Sequence, residues 1–431
     1  MDADRNALHL REFTEKECVL SLPRMAYILL WFPKPSETFI FREVVNLWKM
    51  GLPIKVFTLY GELKKQLSPE MWGVSKQVER LGIPYLRHAP SDLIYWWKRD
   101  PKTVAWLLRT IPVRRWRSLE VGGENIWSFF CGFSLARRFE EERIEHIHAP
   151  WANGPATAAW VASKLTGIPF SFTGRASDIY PPDGALKEKI RDSLFVTSDN
   201  MTNIAYLQGL ANGDTNKIYG IYNGIPLERH EEAPVPMTPP YQLLALGRFD
   251  RIKAFDVLLY ACKILRDSGL SFHLTLAGDG PRKILFKRLA RKLGLLELVS
   301  FPGFIPYNRV SEVFCSADVF VMSSAVHSTG ERDGLPTVIM EALMHRLPVV
   351  ATDVCGIHEV VQDGVTGLLV PEKNAAALAK AIIKMVGDRK SALEMAERGR
   401  SLVLREFDQE RNAGKILSLY QTLIRRPSST N

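Results

Sequence analysis

The 431-residue chain has no CxxC pair, no low-complexity tract, no short internal repeat and no run of eighteen uncharged apolar residues. Each absence removes a class of protein. Without a long apolar run, no helix is expected to span a bilayer. The five cysteines (Cys18, Cys131, Cys262, Cys315 and Cys355) are scattered in mostly apolar surroundings. They read as buried free thiols rather than disulfides or metal ligands, and a reducing, cytoplasmic compartment is expected. Residues 1 to 24 carry Asp2, Asp4, Arg5, Arg11, Glu12, Glu15, Lys16 and Glu17, which leave no apolar stretch for a secretory signal. A composition of 46% apolar and 24% charged residues excludes a disordered chain.

What the chain does have is excess positive charge, a formal +9. That favours an anionic partner such as lipid head groups, nucleic acid or phosphorylated substrates. The length exceeds what one ordinary core supports, so two domains are expected.

Short apolar, β-rich runs alternate with helical patterns throughout. AYILLWF (26–32), IKVFTLY (54–60), IEHIHA (144–149), PFSFTG (169–174) and LFVTS (194–198) read as strands, with helices over 38–50 and 154–165. The Pro-rich stretch 231–242 interrupts the pattern and reads as a linker. Alternation then restarts with LLALGRF (243–249), FHLTLAG (272–278), VSFPG (299–303), VFVMS (319–323) and PVVAT (348–352), with helices over 255–268 and 282–293. Strand, helix, strand is the signature of a parallel sheet. The expected fold is α/β: two Rossmann-like lobes, 1–230 and 243–410, with a ligand cleft at the carboxyl ends of their strands. Residues 411–431 are expected to form a helix packing back on the first lobe.

Several chemical signals fall at strand-to-helix turns of the second lobe. GRFDRIK places Gly247, Arg248 and Lys253 after a strand, where free amides and the helix dipole suit a phosphate. Arg offers a bidentate fork and Lys a point charge, so the pair reads as a diphosphate clamp or, taken alone, as two solvated cations. In AGDGP, Gly278 and Gly280 either admit a ligand or make a turn. DGLPTVIME adds Asp333, a Gly334-Leu335-Pro336 turn opening a helix at Thr337, and Glu341 about two turns in. Amides near Gly334 and Leu335 can meet phosphate or sugar hydroxyls. Glu341 can accept both hydroxyls of a ribose and Asp333 those of a sugar.

Gly247-Arg248 with Lys253, then AGDGP, then an acid, seven residues and Glu341, then LPVVATDVCGIHEVVQDGVTGLLV, resemble the retaining GT-B glycosyltransferases of family 4. FPKPSETFIFRE (32–43), HIHAPWA (146–152) and FTGRASDIY (172–180) resemble its exopolysaccharide branch, which builds polymers such as colanic acid and amylovoran. The resemblance implies a GT-B fold with two lobes facing a deep cleft, and no metal or other cofactor. It implies a nucleoside-diphosphate sugar as donor, UDP favoured over GDP, and transfer with retention. By the same likeness Arg248 and Lys253 hold the diphosphate, Glu341 the ribose and Asp333 the transferred sugar. The chain departs from the family pattern twice. The usual first Glu is Asp333, and the position often held by an active-site His is Arg175, whose guanidinium cannot act as a base. Arg175 is read either as stabilising the leaving diphosphate or orienting the acceptor, or as pairing with Asp178 in its own loop.

Other first-lobe candidates for the acceptor side are Ser36, Glu37 and Thr38 at a helix start, where capping is their minimum role, together with His148 and Asp178. A His146–His148 metal pair lacks a third ligand at a convincing spacing. Residues 87–119 hold eight Lys or Arg against two Asp, with Trp96, Trp97, Trp106 and Trp116. They read as an amphipathic surface for an anionic membrane, or as an insertion that packs its aromatics inward. No RNA-recognition motif accompanies them, so nucleic acid is not expected. The expected function is hexosyl transfer to a lipid-linked glycan on the inner face of the cytoplasmic membrane. A GT-B nucleotide-sugar epimerase and a noncatalytic assembly subunit are the alternatives.

Overall fold

The computed structural model describes residues 22–63, 67–110, 119–181, 185–227 and 237–424. Two parallel sheets organise them. The first runs β1 (Met25–Leu29), β2 (Ile54–Thr58), β3 (Glu79–Arg80), β4 (His146–Ala149), β5 (Phe170–Gly174), β6 (Phe195–Ser198) and β7 (Ile218–Gly220), in spatial order β3-β2-β1-β4-β5-β6-β7. The second runs β8 (Tyr241–Leu246), β9 (Phe272–Ala277), β10 (Val299–Ser300), β11 (Val319–Met322), β12 (Val349–Thr352) and β13 (Leu368–Val370), in order β10-β9-β8-β11-β12-β13. Every described strand pair is parallel. Central strands such as MAYIL and VFVM are buried along their whole length, which is why they read as solid apolar runs rather than alternating ones.

In each sheet the order reverses beside the first strand, between β1 and β4 and between β8 and β11. Loops leaving these strands diverge to opposite faces and open a crevice. The helix Thr38–Lys49 follows β1 and the helix Thr337–Met344 follows β11, so both start at such a crevice.

Two chain crossings join the lobes. Residues 221–227 leave the first sheet, and residues 407–409 return to it. They are bonded to each other by Ile225 N–H to the Phe407 carbonyl (2.9 Å) and Gln409 N–H to the Ile225 carbonyl (3.2 Å). Gly224 lies so close here that a Cβ would sit 2.1 Å from Gln409 Cα. Asp408 then caps the helix Gln409–Leu423, which lies against Thr38–Lys49 of the first lobe, and its Tyr420 hydroxyl meets that of Tyr27 at 2.7 Å. Of the Pro-rich stretch, residues 231–236 lie outside the described residues.

The lobes also touch beside the cleft. The Glu359 carboxylate of the second lobe accepts the Met201 amide (2.9 Å) at the N-terminus of the helix Met201–Leu210 in the first, and the Tyr222 hydroxyl (2.9 Å). An anion at a helix N-terminus is favoured by the free amides and the dipole.

Candidate active site at the cleft between the lobes

The turn after β8 and the loop after β11 bring Lys253 and Asp333 together, Nζ to Oδ2 at 2.9 Å, each side chain about one-eighth exposed. Ser324 donates its hydroxyl to the same carboxylate oxygen. Lys253 therefore lies against the acid expected to hold the sugar. Its stem crosses Gly247, where a Cβ would sit 3.2 Å from Lys253 Cε. Arg248 is half exposed and pairs with Asp250 at 2.8 Å, while Asp250 also takes the Lys253 amide and so shapes the turn. The two cations are thus held by separate acids.

Gly278 and Gly280 have a backbone reason to be glycine. At φ +137°, a Cβ on Gly278 would stand 1.9 Å from the Gly247 carbonyl oxygen. At φ +155°, one on Gly280 would stand 2.6 Å from that of Phe249. The turn after β9 packs directly under the turn after β8, so the close approach is between the two turns of the protein itself.

Pro336 is the N-cap of Thr337–Met344, and Leu335 is buried in the core beneath. The Gly334 carbonyl accepts the Gly356 amide (3.1 Å), and a Cβ on Gly334 would touch Ala176 and Asn200 of the first lobe. Glu341 is the fifth residue of the helix, little more than one turn in rather than two, because the helix begins only at Thr337. Burial pushes its carboxyl above the ordinary value, and Arg42 opposes that shift from across the cleft, with Nη1 3.6 Å from Oε1.

Arg175 is almost wholly buried, at 4% exposure. Its guanidinium reaches Asn223 Oδ1 (2.5 Å), Asp199 Oδ2 (3.3 Å), the Pro150 carbonyl (3.2 Å) and Glu43 Oε2 (3.8 Å), and lies 4.5 Å from the centre of the Phe39 ring. The expected pairing with Asp178 takes another form. Asp178 accepts the backbone amides of Arg175 (2.6 Å) and Ala152 (2.5 Å), tying the loops after β4 and β5 together. Burial pushes the Asp178 carboxyl up to about 8, against those two amide bonds. Both its oxygens serve the backbone, which leaves little for an acceptor.

His148 departs further from its expected role. Nδ1 bonds Ser171 Oγ (2.9 Å), Nε2 faces Thr173 Oγ1 (3.3 Å), and the ring packs on Tyr27 and Tyr420. It lies beneath the cleft because it points inward from a strand buried on both faces. Burial pushes it well below its ordinary value, and His146 is pushed down to about 3 by the same cause. Glu37 is the N-cap of Thr38–Lys49 but makes no side-chain capping bond; its carboxylate meets Lys34 and the Trp151 indole N–H instead. Ser36 is exposed and Thr38 half-buried at the same turn. Among the described residues no group of three or more His, Cys, Asp or Glu is placed to hold a metal.

The basic aromatic segment forms two helices, Ala89–Arg99 and Pro101–Thr110, while residues 111–118, with Trp116, lie outside the described residues. Trp96 is buried and donates to the Phe133 carbonyl, and Trp106 packs edge-on against Trp160. Ile94 and Trp97, 56% and 49% exposed, face outward beside Lys98. The segment is therefore part core and part exposed surface. No described helix is long and apolar enough to cross a membrane.

Arg42, Glu43, Asp199, Asn223 and Ser324 escaped the sequence reading. For Arg42 and Glu43 there was a signal: an adjacent opposite pair inside the otherwise apolar TFIFREVVNLW, whose charges need partners if that helix is buried.

Residues 228–402 match the family of glycosyl transferases group 1. Over 93% of its length the chain is 26% identical to all of WcaL of Escherichia coli strain K12, named for a glycosyltransferase of colanic acid biosynthesis. Over 65% of its length it is 30% identical to 71% of TuaC of Bacillus subtilis strain 168, named for a glycosyltransferase of teichuronic acid biosynthesis. Among solved structures, Alr3699/HepE of Anabaena in complex with UDP and glucose superposes on 93% of the chain with its whole length, at a TM-score of 0.68 and 14% identity. The two-sheet architecture is that of the GT-B glycosyltransferases, and the chain belongs to the group 1 glycosyltransferase family.

Proposed function

We propose that the protein moves a hexose from a nucleoside-diphosphate sugar, UDP-linked in preference to GDP-linked, to a lipid-linked glycan in exopolysaccharide assembly, with retention at the anomeric carbon. The observation that carries the reading is the Lys253–Asp333 pair on adjoining strand-end loops, with Glu341 one helical turn beyond. Breaking the bond between the anomeric carbon and the diphosphate puts negative charge on the leaving group. A cation fixed beside the sugar-binding acid meets that charge where it grows, and such preorganised groups contribute about 3 to 4 kcal/mol of barrier. Lys253, Arg248 and the amides of the two turns supply this stabilisation without a resident metal or other cofactor. Asp333 accepts hydroxyls of the transferred sugar and Glu341 those of the ribose. The relatives named for colanic and teichuronic acid synthesis, and a similar fold holding UDP and glucose, support the substrate class.

A lipid-linked acceptor stays in its bilayer, so the enzyme must come to it. Ile94 and Trp97, outward-facing beside Lys98, support docking of the first lobe on the anionic inner face of the cytoplasmic membrane. Thermal melts with UDP-sugars and GDP-sugars test the donor. A ligand at a hundred times its dissociation constant adds about 2.7 kcal/mol of stability. The melt of the parent should rise with the true donor, and that of K253M should rise less. A melt unmoved by every sugar nucleotide would remove the reading.

A further inference from the structure

The helix Thr38–Lys49 belongs to the first lobe, yet Arg42 reaches across the cleft to Glu341 of the second. Nη1 stands 3.6 Å from Oε1, and the two side chains are 10% and 14% exposed. The contact is an ion pair longer than a hydrogen bond, and no other described side chain is paired with the Glu341 carboxylate. We propose that Arg42 is a positioning residue which holds Glu341 for the nucleoside, so that the donor lobe grips its nucleotide fully only when the first lobe is against it. The inference rests on the assignment of Glu341 to the ribose made above.

A carboxylate accepts two ribose hydroxyls well only when it is ionised and correctly turned. Burial in the helix Thr337–Met344 works against ionisation, and a guanidinium beside one oxygen opposes that shift while leaving the other oxygen for the ligand. The remaining charged groups nearby are engaged elsewhere. Glu43, next to Arg42, faces Arg175 and the Tyr27 hydroxyl. His345, on Glu341's own helix, bonds Ser311 and the Glu341 backbone carbonyl rather than the carboxylate. On the helix Arg389–Glu406, which packs against it, Arg400 and Glu397 pair, Glu397 also holds Arg346, and Arg398 donates to the Val365 carbonyl. Lys253 is held by Asp333. Arg42 is thus the cation that sets the state of Glu341. If it instead blocked the ribose, its removal would tighten binding.

Calorimetric titration of the full-length chain with UDP and with GDP, from pH 5.5 to 8.5, tests this on the parent, R42M, R42K, E341Q and R42M/E341Q. Without Arg42 the carboxyl takes up its proton at higher pH, so R42M should bind more weakly at pH 6, by at most about tenfold for each unit of that shift. The deficit should close toward pH 8.5, and R42K should restore most of the affinity. E341Q should bind weakly with little pH dependence, and adding R42M should change it no further. Parent-like binding by R42M, tighter binding, or a loss equal at every pH with a parent-like melt would overturn the role of Arg42 while leaving that of Glu341. Parent-like binding by E341Q, or no binding of either nucleotide by the parent, would overturn both.

Discussion

Replacing Arg175 by Met keeps the stem of the side chain and removes the guanidinium, and the structure says what is lost. Asp199 and Glu43 lose their cation, Asn223 loses a 2.5 Å donor, and the stacking on Phe39 goes with them. Breaking a buried ion pair from one side costs about 3 to 5 kcal/mol. Two features place R175M near the lower end. Asp199 keeps the amides of Asn200, Asn203 and Asn223, and Glu43, already pushed up by burial, can take a proton once the opposing charge is gone. A loss of about 3 kcal/mol is expected, read from urea unfolding at pH 7. Because Asn223 lies on the crossing between the lobes, transfer should fall with the protein still folded. An unfolding midpoint equal to that of the parent would refute the reasoning and return Arg175 to the cleft as a chemical group alone.

His146 is neutral in the fold down to about pH 3 but titrates near 6.5 in an unfolded chain, so between those values only the unfolded state binds the proton and stability falls as acid is added. Relative to H146Q, the parent should lose about 2 kcal/mol between pH 7 and pH 5, at about 1.4 kcal/mol per unit below 6.5; a constant difference between the two would contradict it. G278A forces a methyl group against the Gly247 carbonyl at a φ that costs other residues about 1 to 3 kcal/mol before the clash is counted, so it should lower the melt and weaken UDP binding together. I94E/W97E should release the protein from anionic liposomes while leaving solution hydrolysis of the donor intact, and undiminished sedimentation with the liposomes would count against the docking face.

The central buried strands were legible because parallel strands covered on both faces are near-continuously apolar, as AYIL and VFVM are. The edges were not. Glu79–Arg80 is a strand of two charged residues, and Ile218–Gly220 and Leu368–Val370 are too short to carry a period; their pairing is decided by the neighbouring strand. The same division holds at the site. Gly247, Lys253 and Asp333 stood out as candidates because each sits at a turn whose chemistry is local, and Glu341 because it follows the last of these turns within one short segment. The contacts between them are tertiary. Nothing in GRFDRIK says that Lys253 lies on Asp333, and nothing in DGLPTVIME says that an arginine of the other lobe stands beside Glu341. His148 and Asp178 misled for a related reason: a polar residue at a strand end reads alike whether it faces a ligand or completes a buried network.

The most direct test is release of nucleoside diphosphate from UDP-sugars and GDP-sugars by the purified protein, with and without a lipid-linked glycan extract from bacterial membranes, for the parent and K253M. The parent should release UDP faster when the extract is present, with the sugar recovered on the lipid in the anomeric configuration it had in the donor, and K253M should be slower by a hundredfold or more, which is about 3 kcal/mol of barrier. No release from any sugar nucleotide, or release with no sugar carried to the lipid, would contradict a transferase built on the Lys253–Asp333 pair.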